Sequence, residues 1–358
     1  MPGAYDEALQ ILAGLSPEYG EAQANAGPVV AAALMALDQP NAVVPWVQDY
    51  RGRLEPMPGA KQPLTRDNWR SALGDMTRIG DWVSFFQREL RQAPWAVVLR
   101  DWVLRLAPGI AGAAGHGFIR TAQAIRNLAL EETDLRRGEL ARGMGYWAAR
   151  FLRLPGILGS PTAGSLLPVE ALARIKWQYK KRPRRFKQIG EGLQGLSGFS
   201  PFAGVINLVK IPAEPPELIS QTTEAMARVF LAHSHDPIKI IPFILAVAVP
   251  SALRDVIRYV GPEGVSALLR YGWQFAGAMY AIYGRANPIE TWEQPSEDRQ
   301  QLAEQAVATG SEYAIIFSDV CLREYAVHSQ PVYLAAAWEA VARLSPPSQD
   351  KSSGDTQE

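Results

Sequence analysis

The sequence predicts an all-α fold, and three observations support this prediction. Apolar residues recur at three- and four-residue spacing along most of the chain, prolines and glycines separate the apolar segments, and no sustained period-two alternation occurs. Hydrophobic residues make up 47% of the 358 residues, which is enough for a large core. We predict one large helical domain over residues 1–344 with an internal hydrophobic cavity, and a polar, disordered tail over residues 345–358.

Individual helices are predicted from apolar stripes and from the residues that interrupt them. For example, Trp82, Phe85 and Phe86 share one helical face, and Pro94 stands where the next helix opens. The predicted helices lie near residues 28–37, 41–54, 81–90, 94–106, 110–130, 136–152, 216–232, 250–260, 262–284, 297–309, 311–327 and 331–343.

Composition limits the partners and the compartment of the protein. Lys plus Arg (36) balance Asp plus Glu (36), so no long-range field favours nucleic acid or an anionic membrane. The single cysteine fits a reducing, cytoplasmic compartment, and the start MPGAYDEALQ lacks the features of a signal peptide. The apolar run 240–253 is short for a bilayer and contains Pro242 and Pro250, which favours a buried core segment. A hydrophobic small molecule is the expected partner, and a homodimer remains open.

The middle of the chain has a different composition. Residues 154–168 are rich in Gly, Pro and Ser, and the segment 176–187 carries seven Lys or Arg in twelve positions. Such a segment can bind a polyanion or form a solvated loop interrupted by Pro183. The zero net charge favours the loop.

Common cofactor motifs are absent from the sequence: it has no GxGxxG followed by a strand–helix unit, and no Walker loop, CxxC, HExxH or GxSxG. A histidine-based metal site would have to draw on His116, His233, His235 and His328. HSHDP (233–237) is the obvious metal candidate, but it also has the pattern of a helix start, with Ser234 or Asp236 as the cap. His328 stands just after a predicted helix end, where a contact with the helix dipole accounts for it.

His116 is the more informative histidine. It lies between Gly115 and Gly117, where the backbone can approach another group closely, and Arg120 follows one helical turn later on the same face. One interpretation is a catalytic base or ligand beside an arginine that orients an anion. The other is a buried histidine at a tight helix crossing, and the residues leave both open.

A second candidate pocket wall lies in residues 270–285. Trp273, Gly277 and Tyr280 share one helical face, which can line a flat hydrophobic pocket or simply pack in the core.

Several segments together resemble the questin-oxidase-like proteins. The resemblance extends over about residues 5–343 and is carried by NAGPVVAAALMAL, VVPWVQDYRGRLE, LGDMTRIGDWVSFFQRELRQAPWAVVLRDWVLRLAPG, HGFIRTAQAIRNL, GYWAARF, PFILAVAVPSALR and EYAIIFSDVCLREY. It implies a single α-helical domain and a lineage of oxidative tailoring enzymes for aromatic polyketides. Their typical reactions are Baeyer–Villiger-type insertion and anthraquinone ring cleavage. In one branch, histidines and a carboxylated lysine hold non-haem iron.

The chain departs from the family pattern at the positions that the resemblance assigns to the metal. The family histidines are replaced by Ala26, Leu245 and Tyr313, and Ile316 stands in place of a lysine, so that only His116 remains. Too few donors are left for iron, and we predict no metal and no cofactor, with non-haem iron as the alternative. Asp319 and Arg323, one turn apart, are predicted to form an ion pair, and Cys321 is predicted to belong to the core.

The resemblance and the residue patterns together define a candidate site. We predict His116 and Tyr313 as catalytic residues with Arg120 as an orienting group, and a substrate pocket formed by Asn25, Ala26, Leu245, Trp273, Tyr280, Ile316 and Phe317. The helices near 25–37, 110–128, 240–256, 262–284 and 311–327 are expected to line the cavity.

Three functions from different classes are compatible with this site. The favoured one is a metal-free natural-product tailoring enzyme that acts on a hydrophobic intermediate by cyclisation, rearrangement or elimination. The first alternative is an oxidoreductase that keeps the family's oxidative chemistry in a remodelled site, with HSHDP as a further metal candidate. The second is a non-catalytic binding protein.

Overall fold

A computed structural model describes residues 3–160, 163–178, 188–293 and 295–346 and confirms the all-α prediction. The only strands within these ranges are β1 (Glu18–Tyr19) and β2 (Gln23–Ala24), which pair antiparallel as a short hairpin. Most of the basic segment (179–187) and most of the predicted tail (347–358) lie outside the described residues, so those two predictions stay predictions.

The helices follow one another along the chain, and the connections between them range from a few residues to long segments that contain several 3₁₀ turns. They are α1 (Ala4–Ile11), α2 (Gly27–Ala36), α3 (Pro40–Tyr50), α4 (Ile79–Gln92), α5 (Trp95–Leu106), α6 (His116–Leu130), α7 (Asp134–Ala149), α8 (Pro168–Leu172), α9 (Ile189–Gly195), α10 (Pro215–His233), α11 (Pro237–Ile257), α12 (Pro262–Tyr283), α13 (Arg299–Ala308), α14 (Glu312–Val327) and α15 (Pro331–Leu344).

The predicted boundary at residue 250 is wrong. Residues 237–257 form one helix of 21 residues, in which Asp236 caps the start by accepting a hydrogen bond from the Ile238 backbone N–H. Pro242 and Pro250 lie inside this helix. The apolar run was expected to be too short to cross a membrane, but the helix that contains it is long and apolar enough to do so. However, 89% of its most apolar window is buried inside the protein. That burial is typical of a core helix.

An aromatic cluster fills the core beneath α4 and α5. Trp82, Phe85 and Phe86 each pack edge to face against Trp102, with ring centroids 5.0 to 6.1 Å apart. The Trp82 indole N–H donates to the carbonyl oxygen of Ala72 at 2.9 Å, so its one polar atom is satisfied. The predicted apolar stripe of α4 therefore faces the core, as its spacing indicates.

The backbone enters α6 through three consecutive residues with positive φ. These are Ala113 (49°), Ala114 (53°) and Gly115 (90°). The left-handed region costs a residue with a Cβ about 1–2 kcal/mol, so the two alanines are held there by their surroundings. At Gly115 a Cβ would overlap the side chain of Val249. This turn fixes the first residue of α6, which is His116.

Helices α6 and α7 cross with glycines at the closest points. A Cβ on Gly117 would lie 2.7 Å from Cα of Trp147, and one on Gly143 would lie 3.0 Å from Cα of Thr121. Each helix therefore presents a glycine to the backbone of the other. The close approach holds α6 against α7 in one register.

The predicted ion pair within α14 does not form. Asp319 instead accepts from Arg126 of α6 at 2.9 Å, and Arg323 donates to Asp255 of α11 at 2.6 Å. Neither aspartate lies on the same helix as its arginine. Both arginines therefore tie α14 to neighbouring helices, which helical spacing alone could not show.

We predict that Gly117→Ala lowers the free energy of unfolding by about 1–3 kcal/mol, because the new methyl group overlaps backbone atoms that cannot move independently. Urea denaturation of the variant measures the change. Gly138→Ala on α7 is the matched control, since its Cβ would meet only the flexible end of Arg142 at 3.5 Å. That control should be neutral or gain up to about 1 kcal/mol. Equal stability of Gly117→Ala and wild type would contradict the tight crossing.

Candidate functional site

A small internal cavity of about 20 Å³ lies among α2, α6, α7, α11 and α14. A volume of about 10–15 Å³ on this measure holds one water molecule, so the cavity has room for roughly one. Its lining consists of Asn25, Ala26, Val29, His116, Ile119, Arg120, Tyr146, Ile244, Leu245, Ala248, Tyr313 and Ile316. The wall is therefore mostly apolar, with a few polar groups.

His116 lies in this wall with both ring nitrogens engaged. Its Nδ1 donates to the Ala113 carbonyl oxygen at 2.6 Å, and its Nε2 lies 3.1 Å from the Tyr313 hydroxyl. Because a carbonyl can only accept, the proton of the neutral ring is on Nδ1 and Nε2 accepts from Tyr313. Burial lowers the pKa of His116, so the ring is neutral at pH 7.

Tyr313 stands in the first turn of α14, opposite His116. The two rings meet edge to face with centroids 6.1 Å apart. Burial, followed by the neighbouring Glu312 carboxyl, raises the pKa of Tyr313. The phenol therefore keeps its proton and serves as a hydrogen-bond donor.

Arg120 lies one turn after His116 and is held by a carboxylate of α7. Its Nε and Nη2 donate to the two oxygens of Glu139 at 2.5 and 3.0 Å, and both side chains are only 3% exposed. The remaining nitrogen, Nη1, is buried and has no hydrogen-bond partner among the described residues. The guanidinium thus faces Glu139 along one edge and leaves one donor unused.

The other predicted residues in the wall supply shape and backbone support. Asn25 uses its amide on the backbone, donating to Ser16 O at 2.9 Å and accepting from Gly27 N at 3.0 Å. Ala26, Leu245 and Ile316 contribute apolar surface around His116. The sequence departures from the family pattern therefore lie together in space.

Three predicted pocket residues lie elsewhere, and α12 contributes nothing to this cavity. The indole N–H of Trp273 donates to Val205 O at 2.8 Å, and the Tyr280 hydroxyl donates to Ala286 O at 3.2 Å. Phe317 packs against Phe230 with ring centroids 5.1 Å apart. These aromatic groups are buried in the core, where each packs against or donates to residues outside the cavity.

Two functional candidates were missed by the sequence reasoning. Tyr146 of α7 lines the cavity, and its hydroxyl donates to Glu18 of the hairpin at 2.9 Å. Glu139 is the partner of Arg120. Tyr146 lies in GYWAARF, one of the segments that carry the family resemblance, which was the available signal. Nothing in the local spacing pairs residues 120 and 139.

Cys321 is a core residue, as predicted. It is fully buried in α14, and burial raises the pKa of its thiol well above the usual value. A thiol in this state is a poor nucleophile.

Two of the three histidines outside the cavity, His233 and His328, have structural partners, whereas His235 is exposed. His233 is 1% exposed, donates from Nδ1 to Val229 O at 2.8 Å, and accepts at Nε2 from the backbone N–H of Arg285 at 2.9 Å. Both nitrogens are therefore occupied, which opposes a metal site in HSHDP. His328 follows the end of α14, where its Nε2 contacts Glu224 at 3.2 Å.

The donors around His116 do not fit an iron ion. Within the described residues, no three His, Cys, Asp or Glu side chains gather closely enough to hold a metal. His116 has only Nε2 to offer, and Tyr313 would have to ligate as a phenolate although its pKa is raised. Iron sites in proteins need several nitrogen or oxygen ligands, so this donor set is too poor.

The buried neutral His233 makes the stability of the fold depend on pH. Burial lowers the pKa of His233 to about 4, whereas an unfolded chain has a value of about 6.5. Below pH 6.5 the unfolded state binds the proton and the folded state does not. The contribution is therefore complete above pH 6.5 and is lost as the pH falls towards 4.

We predict that this histidine accounts for about 3 kcal/mol of the unfolding free energy lost between pH 7 and pH 4, at about 1.36 kcal/mol per pKa unit. Urea denaturation across this range, compared with His233→Gln, isolates the contribution from that of the carboxylates. The variant should lose less stability than wild type as the pH falls. Parallel pH profiles for the two proteins would show that His233 is not held neutral.

Comparison with known proteins relates part of the chain to one protein family. A family model described as Questin oxidase-like matches residues 44–127, a stretch that runs from α3 into α6 and includes His116 and Arg120. A search of the curated proteins finds no match. The family suggests a secondary-metabolite oxidase-type enzyme. The resemblance inferred from the motifs is confirmed over these residues.

Proposed function

We propose that this protein is a natural-product tailoring enzyme that acts on a hydrophobic, polyketide-type intermediate by proton transfer and without a metal. Elimination, cyclisation and rearrangement belong to this class of reaction. The observation that carries the proposal is the 3.1 Å contact between His116 Nε2 and the Tyr313 hydroxyl in the wall of the cavity. It pairs a base with a proton donor in a nearly dry environment.

His116 is arranged to act as the base. Its Nδ1–H is fixed on Ala113 O, so the lone pair of Nε2 points towards the side of the ring where Tyr313 lies. A pKa lowered by burial keeps that lone pair available at neutral pH. The positive-φ turn before α6 fixes the ring position, because Ala113 supplies both the turn and the acceptor.

A proton-transfer step can be written with these two residues. His116 Nε2 removes a proton from a carbon next to a substrate carbonyl, and the C–H electrons form a carbon–carbon double bond as the carbonyl becomes an enolate. The protonated ring then donates to the Tyr313 oxygen, which frees the phenol to donate to a departing hydroxyl. The enolate then reforms the carbonyl, its carbon–carbon double bond shifts to the neighbouring carbon, and the bond from that carbon to the hydroxyl breaks. The departing hydroxyl takes the phenol proton and leaves as water, and Tyr313 recovers its proton from the imidazolium, so the dyad ends as it began.

This scheme requires Tyr313 to be protonated, because its hydroxyl acts as the proton donor. Its raised pKa keeps the proton in place until a stronger acceptor forms. A positioned acid or base of this kind contributes about 10²- to 10⁴-fold to a rate.

Entry of a substrate requires movement of a cavity wall, because the cavity of about 20 Å³ is much smaller than an aromatic intermediate. The hairpin β1–β2 leads directly into Asn25 and Ala26 of the cavity wall, and residues 20–23 at its tip are exposed. Glu18 attaches it to α7 by accepting from Tyr146 at 2.9 Å and from Arg150 Nε at 2.7 Å. We propose that breaking these contacts opens the cavity.

The family match favours a second candidate, an oxidase that keeps the oxidative chemistry of the lineage in this remodelled site. A cofactor-free route would use O₂ on an electron-rich aromatic anion. The two candidates differ in the product, which gains an oxygen atom in the oxidative reaction. They also differ in the need for O₂.

We predict that His116→Gln lowers kcat by about 10²- to 10⁴-fold, because the base is lost. Tyr313→Phe should lower it by a smaller factor, since it removes the donor and leaves the imidazole. The test is turnover of a panel of partly reduced hydroxynaphthalenones and hydroxyanthracenones by purified enzyme, with products identified by mass spectrometry. His328→Gln, a change at a partly exposed histidine outside the cavity, is the matched control and should leave kcat unchanged.

We predict that dialysis against a strong iron chelator leaves turnover unchanged, with metal content measured before and after. Products that gain oxygen only in air would support the oxidative alternative. Loss of activity on chelation, restored by ferrous iron, would refute the metal-free mechanism.

We predict that Glu18→Gln speeds hydrogen exchange of the backbone amides in residues 18–24 by about tenfold, because a hydrogen bond to a charged group contributes about 1.5–3 kcal/mol. Glu21→Gln, at an exposed position of the same hairpin, is the control and should exchange as wild type does. Unchanged exchange in Glu18→Gln would show that these contacts do not hold the hairpin closed.

A further inference from the structure

The unused donor of Arg120 faces away from its ion pair. Nε and Nη2 occupy the edge of the guanidinium that meets Glu139, so Nη1 lies on the opposite side of the planar group. Arg120 also forms part of the cavity wall. A buried N–H without a partner costs about 1–3 kcal/mol, and the described residues provide no acceptor for Nη1. This donor is therefore placed to bind a group that enters the cavity.

The charges around this donor are unequal. Glu139 is shared by Arg120 and Arg142, whose Nη1 lies 3.8 Å from the same carboxylate. Arginine stays protonated in proteins, so two positive charges face one negative charge. The nearby Arg150 already has its own carboxylate, Glu18. Glu139 alone does not neutralise both arginines, which favours an anion over a neutral group at Arg120 Nη1.

The remaining polar groups in the wall do not supply that anion. His116 is neutral, and burial raises the pKa values of Tyr146 and Tyr313, so both phenols keep their protons. The negative charge has to come from the ligand. The single free nitrogen of Arg120 matches one oxygen, whereas a carboxylate is bound best by two parallel donors.

We propose that Arg120 Nη1 binds one anionic oxygen of the substrate, a phenolate or an enolate, and thereby selects substrates that carry an acidic hydroxyl or an enolisable carbonyl. The inference rests on the proposed function in that it takes this cavity as the substrate site. Arg120 and His116 are one turn apart on α6, so the bound oxygen lies on the same side of the helix as the base. An enolate formed by His116 would then be stabilised where it develops.

The test uses 4-nitrophenol, whose anion absorbs visible light, as a probe of bound oxygen. Titration of the probe with and without excess protein measures its pKa in the bound state. We expect wild type to bind the anion and to lower the pKa of the probe by about one unit, a tenfold preference for the ionised form. The methyl ether 4-nitroanisole cannot ionise, so it should bind about tenfold more weakly than the 4-nitrophenol anion, or more weakly still.

Arg120→Lys is the informative variant. A lysine ammonium can still pair with Glu139. Lysine has only one side-chain nitrogen, however, so it has no equivalent of Nη1, the nitrogen of Arg120 that faces away from that carboxylate. We expect the shift in probe pKa to disappear. Arg254→Lys, in the buried pair with Glu324, is the matched control and should keep the shift. If Arg120→Lys does not fold, the double change Arg120→Met and Glu139→Met removes both charges together and carries the same expectation.

Each possible result of the titration either supports or overturns the proposed binding of an anionic oxygen by Arg120. A lowered probe pKa in wild type that is lost on changing Arg120 supports it. Failure of wild type to bind the probe, binding of the neutral form, or an equal shift in Arg120→Lys would overturn it. The titration needs no turnover, so it can fail separately from the proposed function. Turnover that depends on His116 with no shift in the probe would keep the function and refute the subsite.

Discussion

The crossing of α6 and α7 determines the geometry of the rest of the site. Gly117 and Gly143 bring the two backbones close together, and the buried pair of Arg120 and Glu139 joins the helices at the same place. An ion pair of this kind is costly to bury and very costly to break, so it acts mainly by fixing one arrangement. With α6 fixed on α7, His116 is held where its Nε2 lies 3.1 Å from the hydroxyl of Tyr313 on α14. The apolar walls from α2 and α11 then close the cavity around that contact.

Local sequence patterns predicted much of this fold. The aromatic stripe of Trp82, Phe85 and Phe86 required a buried face, and the glycines around His116 indicated a close approach of backbones. Those features depend on spacing within one helix. The same holds for the capping role of Asp236, which a short polar side chain before a proline predicts well.

Contacts between distant parts of the chain could not be predicted in the same way. Asp319 and Arg323 have ideal helical spacing, yet each pairs with another helix because buried charges need partners where the packing brings them. Pro250 suggested a helix start, but the helix continues through it because neighbouring helices bury that segment. In the candidate site, the proximity of His116 and Tyr313 was predicted from the family resemblance. The pairing of Arg120 with Glu139 could be seen only in the tertiary structure.

The single buried cysteine gives the protein an internal reporter of opening. Cys321 lies on α14 two turns after Tyr313, it is fully buried, and its thiol has no ionised fraction to speak of in the native state. A thiol reagent can therefore react only after α14 separates from its neighbours, since reactivity requires both access and the thiolate. The labelling rate of this one atom measures how often the helix that carries Tyr313 leaves the core.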